Sequence, residues 1–130
     1  MAGKTVLLVD DEAGLTAILA KRLSARGLAV KTASSGEEGL AVLRDAPDVG
    51  VAVLDINMPG LDGLETLREL KALRPDVEAL LLTGYPSVEG ALEGMRLGAY
   101  EFLTKPCDME ELHARVLEAL ARAEATDGGA

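Results

Sequence analysis

The sequence holds a single cysteine, Cys107, so no internal disulfide can form and no cage of thiolates can hold zinc. No apolar run approaches the roughly 20 residues that cross a bilayer, so no membrane span is expected. Positive charge is also scarce: 13 lysines and arginines stand against 22 aspartates and glutamates, a net charge of −9. A surface of that sign repels a phosphodiester backbone, which argues against direct binding of DNA or RNA. Internal repeats, interdomain linkers and low-complexity stretches are lacking as well. Met1-Ala-Gly-Lys4 passes straight into a strand-like run without the apolar core of a signal peptide. The expectation is an acidic, cytoplasmic, single-domain protein, and 130 residues suffice to bury a substantial core.

What the chain does have is alternation. Short apolar runs occur at Thr5–Val9, Leu28–Thr32, Gly50–Leu54, Glu78–Leu82 and Tyr100–Leu103. The first, third and fourth are nearly continuous in Val, Leu and Ala, which fits strands covered on both faces of a parallel sheet. Helical patterns lie between them. Leu15, Ile18, Leu19 and Leu23 form one stripe, Leu64, Leu67 and Leu70 another, and Met109, Leu112, Val116 and Leu120 a third. The fourth segment, Ser87–Leu97, follows a turn predicted at Tyr85-Pro86 and has only a thin stripe of Val88, Leu92 and Met95. It also carries Gly90 and Gly94, each costing roughly 0.5–1 kcal/mol relative to alanine, so this helix and the Phe102 strand beside it are expected to be the least stable part of the fold.

The punctuation agrees. Ser35, Asp62 and Asp108 each precede a glutamate by three residues, the spacing of a helix N-cap with its reciprocal partner. Gly27 and Gly98 stand where C′ glycines end helices, and Pro47 and Pro75 follow the second and third. Strict β/α alternation predicts an α/β, doubly wound, parallel five-stranded sheet between helix layers, with too few units to close a barrel. One domain is expected over residues 1–125, with a flexible tail over 126–130.

In an open sheet of this kind ligands bind beyond the carboxyl ends of the strands. Asp10, Asp11 and Glu12 follow the first run, Asp55-Ile-Asn-Met-Pro-Gly60 the third, Thr83-Gly84 ends the fourth, and Lys105-Pro106 follows the fifth. Adjacent first and third strands, about 4.8 Å apart, would bring Asp10, Asp11 and Asp55 together. Such carboxylates repel one another unless a cation is present, and an oxygen-only set suits magnesium better than zinc or copper. Alone, the acidic triplet reads equally well as a solvated cluster at a helix start. Joined by Asp55, Thr83 and Lys105 at one edge, it reads as a site.

The segments Leu7-Leu-Val-Asp-Asp-Glu12, Leu54-Asp-Ile-Asn-Met-Pro-Gly60, Leu82-Thr-Gly84 and Gly98-Ala-Tyr-Glu-Phe-Leu-Thr-Lys-Pro106 together resemble the receiver domain of bacterial two-component response regulators. The resemblance covers essentially the whole chain. It implies a flavodoxin-like (βα)5 three-layer sandwich with strand order 2-1-3-4-5, and Asp55 as the phosphoacceptor. It implies Mg2+ bound by Asp10, Asp11, Asp55 and the backbone carbonyl of Asn57, with Asp11 the more direct ligand and Asp10 acting partly through water. Thr83 and Lys105 would hold phosphoryl oxygens, Phe102 would be the switch aromatic, and the Lys105-Pro106 bond would be cis. The implied donor is a phosphohistidine on a histidine kinase or phosphotransfer protein, and the domain would act only on itself rather than as an ordinary enzyme. The fourth helix, fifth strand and fifth helix would form the switching face, a surface for a partner or a homodimer. Cys107 departs from the phenylalanine more usual there and reads as a packed side chain; His113 reads as a solvent-facing helix residue, with no resemblance to a phosphohistidine site.

Two other classes compete. A haloacid-dehalogenase-like Mg2+-dependent phosphatase or phosphotransferase also forms an aspartyl phosphate, but it needs Asp-x-Asp-x-Thr after its first strand, and here Asp10 and Asp11 are adjacent while Asn57 follows Asp55 by two. A flavin carrier needs a hydroxyl- and glycine-rich phosphate loop where this chain has Asp10-Asp11-Glu12.

Overall fold

The computed structural model describes residues 3–84 and 87–128, so the turn expected at Tyr85-Pro86 and the last residues of the expected tail lie outside the described residues. The elements run β1 (Thr5–Val9), α1 (Ala13–Ala25), β2 (Ala29–Ala33), α2 (Gly36–Asp45), β3 (Val49–Asp55), α3 (Gly63–Leu73), β4 (Glu78–Thr83), α4 (Val88–Arg96), β5 (Glu101–Thr104) and α5 (Met109–Gly128). All strand pairs are parallel, in the order β2-β1-β3-β4-β5. This is the architecture and order expected above.

Strand periodicity divides the core between the two faces of the sheet. Leu7, Val9, Ala52, Leu54 and Leu81 pack with Leu40 and Leu43 of α2 and Leu67 and Leu70 of α3. Val6, Leu8, Val51, Val53, Leu80 and Leu82 face the other way, onto Leu23 of α1 and Leu112, Val116 and Ala119 of α5. Every residue of β1 and β3 is buried, as their unbroken apolar runs required. Edge strand β2 is largely exposed.

The caps form with differences in detail. Asp62 and Glu65 close a full capping box at α3. At α2 the Ser35 hydroxyl accepts from the Glu38 amide, but the Glu38 carboxylate accepts from the Ser34 hydroxyl instead of returning to the cap backbone. At α5 the Asp108 carboxylate accepts from the amide of Glu110, 3.3 Å away. Gly27 and Gly98 adopt φ of +89° and +102°, the left-handed conformation that suits a C′ glycine.

Two helical stripes face elsewhere than periodicity suggested. Of the α1 set, only Leu23 is buried; Leu15 and Leu19 are half-buried and Ile18 is 51% exposed. The helix lies toward the β2 edge, and the buried place goes to Thr16, whose hydroxyl donates to the Glu12 carbonyl. Leu15, Ile18 and Leu19 instead line a 460 Å³ groove opposite Pro106, Cys107 and Met109. In α4, Val88, Leu92 and Met95 are 75%, 66% and 47% exposed, so the expected core stripe faces outward. The helix docks through Gly94, where a Cβ would stand 2.3 Å from Cδ1 of fully buried Leu81. Gly94 is therefore a contact point rather than a mere weakness in the helix.

Arg74, just past α3, ties the opposite end of the sheet together. Its guanidinium donates to the carbonyls of Leu43, Ala46, Pro47 and Val49 and pairs with Asp76. The last turn of α2 thereby gains donors that its own backbone cannot supply.

Candidate functional site

Parallel register carries four side chains to one edge. Asp10 follows β1, Asp55 ends β3, Thr83 ends β4 and Lys105 follows β5; the pairs Val9↔Leu54, Asp55↔Leu82 and Thr83↔Thr104 set them level. Asp10, Asp55 and Thr83 are buried, whereas Asp11 is exposed. The Lys105-Pro106 peptide is cis, as the resemblance implied.

The charges meet closely. Lys105 Nζ lies 2.9 Å from Asp10 Oδ2, 3.4 Å from Asp55 Oδ2 and 3.6 Å from Glu12 Oε1. Asp10 Oδ1 accepts from the Glu12 amide at 2.9 Å, and Asp55 Oδ1 accepts from the Asn57 amide at 3.1 Å. Burial, followed by the charge on Asp10, pushes the Asp55 carboxyl above the usual carboxylate range. Burial works to lower the Lys105 pKa, but its hydrogen bond to Asp10 and the charges of Asp10 and Asp55 outweigh that, and the net shift is upward. Lys105 is thus a fixed cation within a negative site.

One carboxylate oxygen from each of Asp10, Asp11 and Asp55 lies within 4.8 Å of the others. All donors in this group are hard oxygens, and the single ammonium of Lys105 leaves the three carboxylates undercompensated. That donor set fits a hard divalent cation such as Mg2+. Beside it is a cleft of only 80 Å³ lined by Glu12, Asp55, Asn57, Gly84 and Lys105. Larger cavities lie elsewhere, including one of 610 Å³ between β2 and α2, so charge and geometry mark this site rather than volume.

The structure therefore brings together Asp10, Asp11, Asp55, Thr83 and Lys105 and places Asn57 beside them. Phe102 lies outside the cluster, half-buried against the core shared by α2 and α3. Two contributions to the site carry no role in the sequence pattern. Glu12 reaches the rim through Lys105, and its place in the acidic triplet was the available signal. The Asn57 side chain donates to Thr83 Oγ1 at 2.6 Å, a link between residues 26 apart that no local pattern announces. Cys107 borders the α1–α5 groove, and burial followed by Glu111 pushes its thiol up to about 11, which fits a packed side chain and not a reactive one. His113 is half-buried on α5 rather than fully solvent-facing.

Comparison with known proteins gives a consistent picture. Residues 6–117 match the family model described as the response regulator receiver domain. The chain is 37% identical over 123 residues to the transcriptional regulatory protein GlrR of Escherichia coli, covering 94% of this chain and 28% of that protein. It is 41% identical over 123 residues to the response regulator MprA of Mycobacterium leprae, covering 94% and 53%. The chain thus spans between about a quarter and about half of these curated relatives.

Among solved structures, a CheY-like receiver domain protein from Methanospirillum hungatei superposes with a TM-score of 0.89 at 29% identity, over 95% of this chain and 98% of that one. A response regulator protein from Burkholderia pseudomallei, described with a phosphorylated aspartic acid, calcium ion and citrate, gives 0.81 at 31% identity, over 95% and 72%. None of this supports the dehalogenase-like alternative, whose second acid would stand at Asn57. Both the fold and a match running through nearly all of its elements lead to one family, and the chain belongs to it: this is a response regulator receiver domain.

Proposed function

We propose that Asp55 accepts a phosphoryl group from a phosphohistidine of a histidine kinase or phosphotransfer protein, and that Asp10, Asp11, Asp55 and the Asn57 backbone carbonyl hold Mg2+. The observation that carries this reading is the convergence on Asp55 of Lys105, at 3.4 Å, and two further carboxylates at a strand edge. The phosphorylated aspartic acid of the Burkholderia pseudomallei relative supports it.

A carboxylate is a weak nucleophile, so the site works by alignment and charge neutralisation. The Asn57 amide on Oδ1 fixes the Asp55 carboxylate plane and leaves Oδ2 toward Lys105. As an Asp55 oxygen bonds to phosphorus, the P–N bond of the donor breaks and its electron pair stays on the imidazole nitrogen. The phosphoryl group brings roughly −1.5 to −2 charge and three acceptor oxygens, to which Lys105 and Thr83 offer an ammonium and a hydroxyl. Mg2+, when bound, supplies further charge neutralisation to those oxygens. The domain modifies only itself, in the cytoplasm, and the names of its relatives support an output in transcriptional control.

Incubation of the whole chain with a small acyl phosphate tests this. The expected result is one acid-stable, base-labile label per chain that requires Mg2+, with Asp11→Asn weakening Mg2+ binding and slowing the reaction. Labelling at an unchanged rate in excess chelator would overturn the metal assignment.

The switching face is read as α4, β5 and α5. Val88, Leu92 and Met95 give it an outward apolar stripe suited to a partner or a second copy. α4 follows Thr83 in the chain, carries Gly90 in its interior and leaves Val88, Leu92 and Met95 exposed, features of a segment at the low-stability end of a fold, with Gly94 its point of contact on the sheet. Phosphorylation draws Thr83 toward Asp55 and biases α4 and Phe102 toward one packing. Hydrogen exchange with and without beryllofluoride should change across Ser87–Phe102. A change confined to the connection at 45–50 would sink the idea.

A further inference from the structure

We infer that Glu12 is a specificity-determining residue: its charge at the mouth of the cleft holds off small, freely diffusing anionic phosphoryl donors. The inference rests on Asp55 as the phosphoacceptor. Glu12 lines the 80 Å³ cleft together with Asp55, Asn57, Gly84 and Lys105. Its main chain is fixed. The amide donates to Asp10 Oδ1 at 2.9 Å, and the carbonyl accepts from both the amide and the hydroxyl of buried Thr16, each at 3.0 Å. Its side chain is 64% exposed, against 8% for Asp10 and 5% for Asp55. The carboxylate is thus held at the rim, on the water side of the two buried acids.

The charge at this rim is poorly offset. Asp10, Asp11 and Asp55 group their oxygens within 4.8 Å, where a cation would neutralise them, whereas Glu12 turns to Lys105. That contact is 3.6 Å, longer than the 2.9 Å from the same ammonium to Asp10, and an ion pair so exposed is weak. On a chain of net charge −9, Glu12 meets any anion approaching Asp55 as a like charge. By sharing Lys105 it also holds back part of the cation that would attract that anion. A phosphohistidine carried on a docked protein gains binding energy from the rest of that protein, which offsets the repulsion. A free donor has no such contacts. An element that repels the wrong partner is a common means of specificity.

Labelling with two small donors of different charge tests this, at one near-neutral pH with saturating Mg2+ and low ionic strength. Acetyl phosphate is a dianion: as an Asp55 oxygen bonds to phosphorus, its P–O bond breaks and the electron pair leaves on acetate. Phosphoramidate is largely a monoanion with a protonated nitrogen: its P–N bond breaks and the pair leaves on ammonia. Glu12→Gln should speed labelling about 2-fold for each donor charge, so about 4-fold with acetyl phosphate and about 2-fold with phosphoramidate. In about 0.5 M salt both gains should fall below about 1.5-fold, because the rim is open to screening ions. Mg2+ affinity, read by calorimetry, should stay within about 2-fold of wild type, the range of an exposed charge pair. Glu118→Gln removes the same charge about 13 Å along α5 from its start and should change neither rate. Equal gains with both donors, slower labelling with either, weakened Mg2+ binding, or the same gains from Glu118→Gln each overturn the inference. If neither wild type nor Glu12→Gln is labelled by either donor, the phosphoacceptor reading itself fails, so the two failures are distinguishable.

Discussion

Asp55→Asn should take up no phosphoryl label from a small phosphodonor or from a kinase, while folding more stably than the wild type in the absence of divalent ions. The loss is complete because an amide oxygen cannot form the acyl phosphate. The gain follows from the same burial that makes the site work. Burial and the neighbouring Asp10 charge hold the Asp55 carboxyl above its ordinary range, so the folded protein binds its proton more tightly than the unfolded chain does. Such a group favours folding only when protonated. Its contribution declines as pH rises through the ordinary carboxylate value toward the raised one, leaving a penalty at neutral pH. Asparagine removes the charge and can still accept from the Asn57 amide. Thermal unfolding in chelator, beside a labelling assay, measures both effects. Full labelling of Asp55→Asn would refute the assignment, and lowered stability would refute the electrostatic account.

Gly63→Ala should reduce both stability and phosphorylation, against the intrinsic preference of a helix for alanine. A Cβ at Gly63 would stand 2.4 Å from the Asp55 carbonyl oxygen, 2.6 Å from Ile56 Cα and 2.9 Å from the Asp55 carbonyl carbon. All three are backbone atoms, so no side-chain rotation relieves the overlap. The first turn of α3 is seated directly on the chain leaving β3, and the Gly63 amide donates to the Ile56 carbonyl. Helix propensity alone would stabilise the alanine variant by up to about 1 kcal/mol. Overpacking of this kind costs about 1–3 kcal/mol and should win. Displacing α3 also disturbs Asp55 and Asn57, so labelling should slow even in the folded fraction. Gly14 in α1 is the comparison, since a Cβ there meets nothing within 4 Å and alanine should stabilise by roughly 0.5–1 kcal/mol. Urea unfolding of the two variants gives opposite signs if close approach governs Gly63; equal stabilisation by both would show that it does not.

Much of this molecule was legible along the chain. Apolar runs alternating with helical stripes led to a parallel sheet, and in such a sheet every strand delivers its last residues to one edge. Asp10, Asp55, Thr83 and Lys105 can therefore be gathered from the sequence, because their separation along the chain is erased by a regular rule of winding. Caps and C′ glycines were readable for a similar reason: their partners lie within a few residues.

What stayed hidden depends on neighbours far along the chain. Periodicity shows that Val88, Leu92 and Met95 share a face of α4, but not which face meets the sheet; the absence of a Cβ at Gly94, set against Leu81, turns that stripe outward. The α1 stripe opens onto a groove for the same reason, since the register of helix on sheet is set by contacts rather than by pattern. The Arg74 clamp reaches 25 to 31 residues back to the carbonyls of β3 and α2, and the Asn57–Thr83 bond spans 26. Local chemistry thus fixes which elements form and which ends carry reactive groups. The facing of each helix, the need for each buried glycine and the pairing of polar atoms across loops arise only when the elements are packed together.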